Sequence, residues 1–533
     1  MKNYAGIILL FLSVQLLSAQ EQLSLDKQAA IYYAKYDYAK AASLYERVAA
    51  KRGEKTPTQV LERLADAYRQ INKYEASANW YAKLITRSDA SPDARLYYGD
   101  MLKSQGKYAE AKVAYTQYAQ TVPSSEKVKN RIAGCDAAAE WIQTPTTVFI
   151  RNVERLNTSQ SDWGATHYPG GVVFTSDSLY RHQLDNGSRY NRNKYGRTNR
   201  DYYGLYVGDT ANYGNVYIKD FSPSFNWSRY HVGPAAFDKD YHTAYVTMTY
   251  PDRNIPGVKE NRVKYGYRRL ELFSAEKDKN GKWGKPVAFP YNKPDQYSVG
   301  HAALSNDGNI LYFAADMPGG QGGTDIWYSE KQGDDKWGAP VNCGPAINTA
   351  EDDEFPTIAP DGSLYFSSKG WMGMGGFDIF HSTGSKAQWS TAENLRYPTN
   401  SPADDFYFVA AFAGDTYFSS NRTGGKGSDD IYSITTPTSY TLTKTPVALV
   451  IPFIGTICPT LNDACIYIYN RQRGIGWCFI GQPGREINLT LEKETDYVIR
   501  TTYPGQRRDS IEFNTRGMTD GQELKKVIGP CSH

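Results

Sequence analysis

The sequence predicts a multidomain chain of α plus all-β class: a helical solenoid, then a β-propeller, then a small β-sandwich. Three observations carry this. Between Leu23 and Trp141 an Ala-, Tyr- and Lys-rich helical pattern recurs with a period near 34 residues. Between Val299 and Ile434 one strand-and-turn unit is written three times, its aspartates Asp325, Asp378 and Asp430 lying 53 and 52 residues apart. After Thr436-Pro437 that unit stops, and short alternating strands run on towards His533. A chain of 533 residues is too long for one hydrophobic core. The expected divisions are a signal peptide over 1–19, helical repeats over 20–143, a propeller over 144–437 and a sandwich over 438–533.

The N-terminus carries Lys2, an apolar run from Ile7 to Leu17, and Ser18-Ala19. Such a run is too short to span a bilayer but suits the apolar region of a secretory signal cleaved after Ala19. The residue directly after that position is Gln20 rather than cysteine, so lipid anchoring is not expected. Nor is any later apolar run long enough to cross a membrane; "VALVIPFIGTIC" is broken by Pro452 and Gly455. Export by such a signal would also deny access to nucleic acid, and a formal charge of only +3 argues for no polyanion by itself. Tyrosine is abundant, 43 against 20 Phe, which serves both strands and hydrated contact surfaces.

In the helical part, "YDYAKAASLYERV", "NKYEASANWYAKL" and "GKYAEAKVAYTQY" align without gaps. Small residues fall together (Ala41, Ser77, Ala111), and so do aromatics (Tyr45, Tyr81, Tyr115). Small residues let paired helices approach and aromatics fill the gap between neighbours. These segments resemble tetratricopeptide (TPR) repeats, with Gly99 and Pro123 where that motif places them and Ala29 and Ala65 at the glycine position of the first two copies.

The propeller units read "HAALSNDGNILYFAADMPGGQGGTDIWYS", "TIAPDGSLYFSSKGWMGMGGFDIFHS" and "FVAAFAGDTYFSSNRTGGKGSDDIYSI". Asp307-Gly308 and Asp361-Gly362 make tight hairpin turns, because glycine accepts positive φ. Trp227, Trp283, Trp337 and Trp389 mark the outer part of each unit and extend the repeat backwards. "WGATHYPGGVVFTSD" and "VGPAAFDKDYHTAYVTM" supply two more blades, giving five, with six left open. "TVFIRNV" is the expected closing strand of the ring. Asp325, Asp378 and Asp430 recur blade after blade, which marks them as structural groups that bond loop amides.

With these parts in order, the chain resembles the periplasmic proteins of Bacteroidetes that join TPR repeats, a TolB-like or WD-like propeller and a carboxypeptidase-regulatory-like sandwich. That group is of the OmpA-associated, PorE-like type. "DGSLYF" with "DIF" carries the propeller resemblance, and "IYIYN" with "YVIRTTYPG" the sandwich. His533 stands where the group's OmpA-type domain would begin. The resemblance implies a cell-envelope scaffold linked to type IX secretion or outer-membrane assembly, held at the outer membrane through partners.

Catalytic motifs are not found. There is no Gly-x-Ser-x-Gly turn, no His-Glu-x-x-His helix and no phosphate loop, so no catalytic residue, metal or cofactor is expected and the chain reads as non-enzymatic. His231, His301 and His381 sit at blade positions that packing explains. The acidic run from Glu351 to Glu354 lacks an EF-hand's spacing and is expected to be a solvated loop. Of six cysteines, Cys458, Cys465, Cys478 and Cys531 are disulfide candidates, while Cys135 and Cys343 look solitary.

Two basic insertions interrupt the first two blades. The first, from Ser178 to Arg200, includes Arg189, Arg192, Lys194 and Arg197 and has a local balance of +5. The second, from Tyr250 to Arg269, includes Arg262, Lys264 and Arg268 and has a balance of +4. Equivalent loops emerge on one propeller face, so these residues are the expected docking site for an anionic partner. The partner would be an acidic envelope protein, or peptidoglycan or another anionic envelope polymer. The alternative function is a carbohydrate- or peptide-binding module of an envelope enzyme assembly.

Overall fold

The structure is a computed structural model that describes 23–122, 126–178, 194–209, 218–226, 230–249, 258–260, 263–266, 268–333, 336–410, 416–435, 450–457, 465–470, 476–480, 486–502, 508–519 and 522–528. Seven α-helices come first: α1 (Leu25–Ala34), α2 (Tyr38–Arg52), α3 (Thr58–Arg69), α4 (Tyr74–Leu84), α5 (Asp93–Lys103), α6 (Tyr108–Thr121) and α7 (Glu126–Gln143). Each packs on its successor. The aligned small residues Ala41, Ser77 and Ala111 are fully buried, and Tyr45, Tyr81 and Tyr115 fill the gaps beside them. Gly99 shows how tight this packing is. A Cβ there would lie 2.5 Å from the Tyr115 ring.

Five four-stranded antiparallel sheets follow as blades, not six. Their innermost strands are Asp162–Tyr168, Val232–Phe237, Val299–Leu304, Asp353–Ile358 and Asp405–Val409. The ring closes by pairing Phe149–Asn152, from before the first blade, with Asp430–Thr435 of the fifth. Gly308 and Gly362 take φ of +73 and +88 in the hairpin turns. Large side chains such as Phe174, Phe313, Phe366 and Phe418 are buried between the sheets.

A clamp repeats in every blade. An asparagine after the outer strand bonds both the N–H and the C=O of one third-strand residue, copying a backbone pairing. Asn226 holds Leu205, Asn292 holds Leu272, Asn348 holds Ile326, Asn400 holds Ile379 and Asn157 holds Ile431. All ten contacts are 2.6–3.1 Å. The clamps satisfy backbone groups that the short outer strands of these blades, two to four residues long, leave without a ladder partner.

After the propeller the described strands form two sheets. Val450–Ile457 lies between Glu486–Glu492, antiparallel, and Leu524–Ile528, parallel. The other sheet is antiparallel in the order Gly476–Ile480, Cys465–Asn470, Asp496–Thr502, Arg508–Asn514. Among the described residues no helix is long and apolar enough to cross a membrane.

Candidate functional site

The site lies at one axial mouth of the propeller, on the side of the loops that join second and third strands. Each innermost strand carries a bulge, and at each bulge one residue is left-handed: Gly164, Gly233, His301, Phe355 and Tyr407, with φ of 67, 114, 54, 57 and 52. Two blades meet this conformation with glycine. In the other three a bulky side chain is held there, at a cost of order 1–3 kcal/mol each. The consequence is a plug. Tyr407 reaches across the axis, its hydroxyl 3.3 Å from the Ala235 carbonyl. His301 stacks on Phe355 at 4.5 Å, and Trp163 stands edge-on to His301, Phe355 and Tyr407.

Above the plug the walls are polar. Asp352 lies 3.0 Å from the Lys369 ammonium and is held below the usual carboxylate range by it; Lys369 in turn sits 4.3 Å over the Phe377 ring. Asp404 accepts bonds from the Phe377 N–H at 2.9 Å, the Tyr74 hydroxyl at 2.8 Å and Asn421 at 3.0 Å. Asp177 accepts from the Ser161 N–H at 2.8 Å and pairs with Arg200 at 2.9 Å, yet burial still pushes it up to about 6. Ser161 Oγ also donates to Asp429 and lies beside the Tyr203 hydroxyl. Glu354 faces His301, its Oε2 3.6 Å from Nδ1. Burial pushes Glu354 up to about 7 and holds His301 down to about 4.

The helical array forms one wall. Tyr74 of α4 reaches Asp404 and Asn421, and Arg131 of α7 lies 2.7 Å from Asp100 and 3.3 Å from Glu351. Met374 from the fourth blade is fully buried in the core of α5, α6 and α7. This corrects the expectation of a solvated acidic loop. Glu351 pairs with Arg131 and Lys127, Asp352 with Lys369, and Asp353 is fully buried, accepting the Thr349 N–H at 2.6 Å. The run is acidic because four successive residues face four different polar partners.

The blade aspartates lie just below. Asp378 accepts the N–H groups of Met374 and Gly375, both at 3.0 Å, Asp430 that of Gly427 at 3.0 Å, and Asp325 that of Gln321. Of the basic candidates, Lys194 pairs with Asp201 at 2.8 Å. Arg197 turns to the helical array, bonding the Gln70 carbonyl at 3.0 Å and its side chain at 2.8 Å. Arg268 lies 4.9 Å over the Tyr230 ring. Arg189, Arg192, Arg262, Cys458 and Cys531 fall outside the described residues, as do the side chains of Lys264, Cys465 and Cys478. Cys135 and Cys343 are buried and form no disulfide. Among the described residues no three His, Cys, Asp or Glu side chains are grouped to hold a metal.

No protein-family model matches this chain, and no curated protein does. Solved structures do. The α-L-arabinofuranosidase PaAbf62A from Podospora anserina, solved with cellotriose, is 11% identical over 54% of this chain and 93% of its own, with a TM-score of 0.31. The GH43 protein BlXynB from Bacillus licheniformis is 11% identical over 68% of this chain and 88% of its own, at 0.30. A puromycin hydrolase is 12% identical over 70% of this chain and 46% of its own, at 0.27. This corrects the expectation of a non-enzymatic chain, because the solved structures it is similar to are enzymes.

Sequence reasoning does not reveal most of the recess: Glu354 reads as loop, His301 as packing and Tyr74 only as a helical-repeat position equivalent to Tyr38 and Tyr108, while Trp163, Lys369 and Asp404 carry no motif of their own. One signal was available. Asp352-Asp353 and Asp404-Asp405 stand at the same repeat position, 52 residues apart.

Proposed function

We propose that this chain is an exported ligand-binding protein whose propeller mouth takes a carbohydrate or a peptide, as the binding module of an envelope assembly. The observation that carries it is the blocked axial recess, where the carboxylates of Asp352, Glu354 and Asp404 converge with the rings of Trp163, Phe355 and Phe377. A concave site with an apolar floor and a few convergent polar groups is the usual form of a ligand pocket. In this reading the seven helices are a TPR array, the two C-terminal sheets a carboxypeptidase-regulatory-like sandwich, and the setting the periplasm. The test is to probe glycan and peptide arrays with the purified chain and with Phe377→Ala. Saturable binding that falls about tenfold in the variant is expected; no saturable binding to either array sinks the reading.

A second reading, docking of an envelope protein linked to type IX secretion or outer-membrane assembly, has its own observation. The helical array carries a groove of about 1350 Å³ lined by Glu46, Arg47, Leu61, Trp80, Lys83 and Arg87 among others. Co-purification from envelope extracts with Trp80→Ala as the comparison tests it: a partner kept by the variant removes the groove from consideration.

A further inference from the structure

The recess holds more carboxylate than cation. Among the described residues Asp177, Asp316, Glu351, Asp352, Glu354, Asp404 and Asp429 stand at this mouth, against Lys127, Arg131, Lys369 and Arg200. These cations are already engaged, Lys369 with Asp352 at 3.0 Å, Arg200 with Asp177 at 2.9 Å, and Lys127 and Arg131 with Glu351 at 3.0 and 3.3 Å. Surplus charge alone does not make a site. The second observation is His301, whose side chain is only 9% exposed. Among the described residues no hydrogen bond reaches its ring, and its Nδ1 stands 3.6 Å from Glu354, beyond hydrogen-bond reach. A buried, neutral imidazole keeps one acceptor nitrogen that calls for a donor.

The recess also contains an example of how it treats an ammonium group. Lys369 Nζ rests over the Phe377 ring while Asp352 takes its hydrogen bond. Ring face and carboxylate together are a favourable setting for a desolvated cation. The remaining aromatic surface is poorly placed for sugar stacking. Phe355 is buried, Trp163 stands edge-on to its neighbours, and the face of Phe377 is covered by Lys369. A slender cationic stem fits this lining better than a flat sugar ring.

We infer that the recess binds a primary ammonium group presented by a peptide, a lysine side chain or a free N-terminus, with Glu354 and His301 accepting its hydrogen bonds. The inference rests on the reading of the recess as a binding site and narrows it. The groups that face Glu354 are His301 from the third blade, Asp316 and Thr324 from the same blade's loop, and Asp352 and Lys369 from the fourth. On the side of α7, Lys127 and Arg131 are directed to Glu351.

The test is calorimetric titration of the full chain with three probes: a terminally blocked Gly-Lys-Gly peptide, its Nε-acetylated form, and Gly-Gly-Gly-amide with a free N-terminus. One or both ammonium probes bind saturably, and the acetylated peptide binds at least about tenfold more weakly. Glu354→Gln weakens the ammonium probe about tenfold while the chain stays folded, whereas Glu330→Gln, remote on the third blade, leaves the affinity unchanged. The two ammonium probes distinguish the lysine side chain from the N-terminus. Equal binding of the acetylated peptide, or tighter binding of an N-acetylglucosamine disaccharide titrated as a sugar control without an ammonium group, overturns the inference but leaves a binding recess. Failure of every probe, peptide and sugar alike, removes both.

Discussion

Tyr74, the first residue of α4, donates its hydroxyl to Asp404 of the propeller at 2.8 Å and accepts from Asn421 at 2.9 Å. Asp404 and Asn421 bond each other at 3.0 Å, so the three groups form a closed triangle. Residues more than 300 positions apart thereby fix one wall of the recess, and burial beside Asp404 raises the Tyr74 hydroxyl well above its ordinary value.

Tyr74→Phe removes the donor to Asp404 and the acceptor for Asn421 while keeping the ring. A loss of about 1–2 kcal/mol is expected, that of one buried bond to a charged group. Urea unfolding followed by tryptophan fluorescence measures it, and an unchanged midpoint means that water replaces the hydroxyl.

Gly99→Ala places a methyl 2.5 Å from the Tyr115 ring. Overpacking there outweighs alanine's better helix propensity, and a loss of about 1–3 kcal/mol is expected. Far-ultraviolet circular dichroism on heating reads it directly. A more stable variant would show that the Tyr115 ring moves aside freely.

Asn348→Ala leaves the N–H and C=O of Ile326 buried without their clamp. Two orphaned groups predict a loss of about 2–4 kcal/mol. Asn348→Asp keeps the acceptor but not the donor, and its loss should be smaller in acid than at neutral pH. Denaturant midpoints of both variants at pH 5 and pH 7.5 test the pair, and equal loss in the two buffers contradicts it.

Glu354 rises from an ordinary value of 4.5 to about 7, so the folded chain binds its proton more tightly than the unfolded one. Stability from this group is present in acid and is lost as pH rises from about 4.5 to about 7, then stays level. Melting temperature against pH should therefore fall more steeply over that window in the natural chain than in Glu354→Gln. Parallel curves would place the carboxyl in ordinary solvent.

How much of this was legible depends on the distance over which each feature is built. The Tyr-Phe strands and the loop aspartates repeat every 52 or 53 residues and the Asp-Gly turns lie 54 apart, so five blades can be counted in the sequence. The clamps divide the case. Four of them join residues 20–22 positions apart within one blade, but Asn157 reaches Ile431 across 274 positions, a partner that exists only because the ring closes. His301 read as packing for the same reason. Its neighbour Glu354 lies in the next blade, and a left-handed residue at a strand bulge cannot be told from its extended neighbours by residue type.

The sequence by itself determined the repeats, because hydrophobic period, turn chemistry and small-residue spacing are local and each unit must satisfy the same packing. Tertiary structure alone decided the recess. Bulges turn bulky side chains onto one axis, and the helices dock over blades four and five. The acidic run, which local polarity assigns to solvent, thereby acquires Arg131, Lys127 and Lys369 as partners and leaves Glu354 facing the His301 imidazole at 3.6 Å.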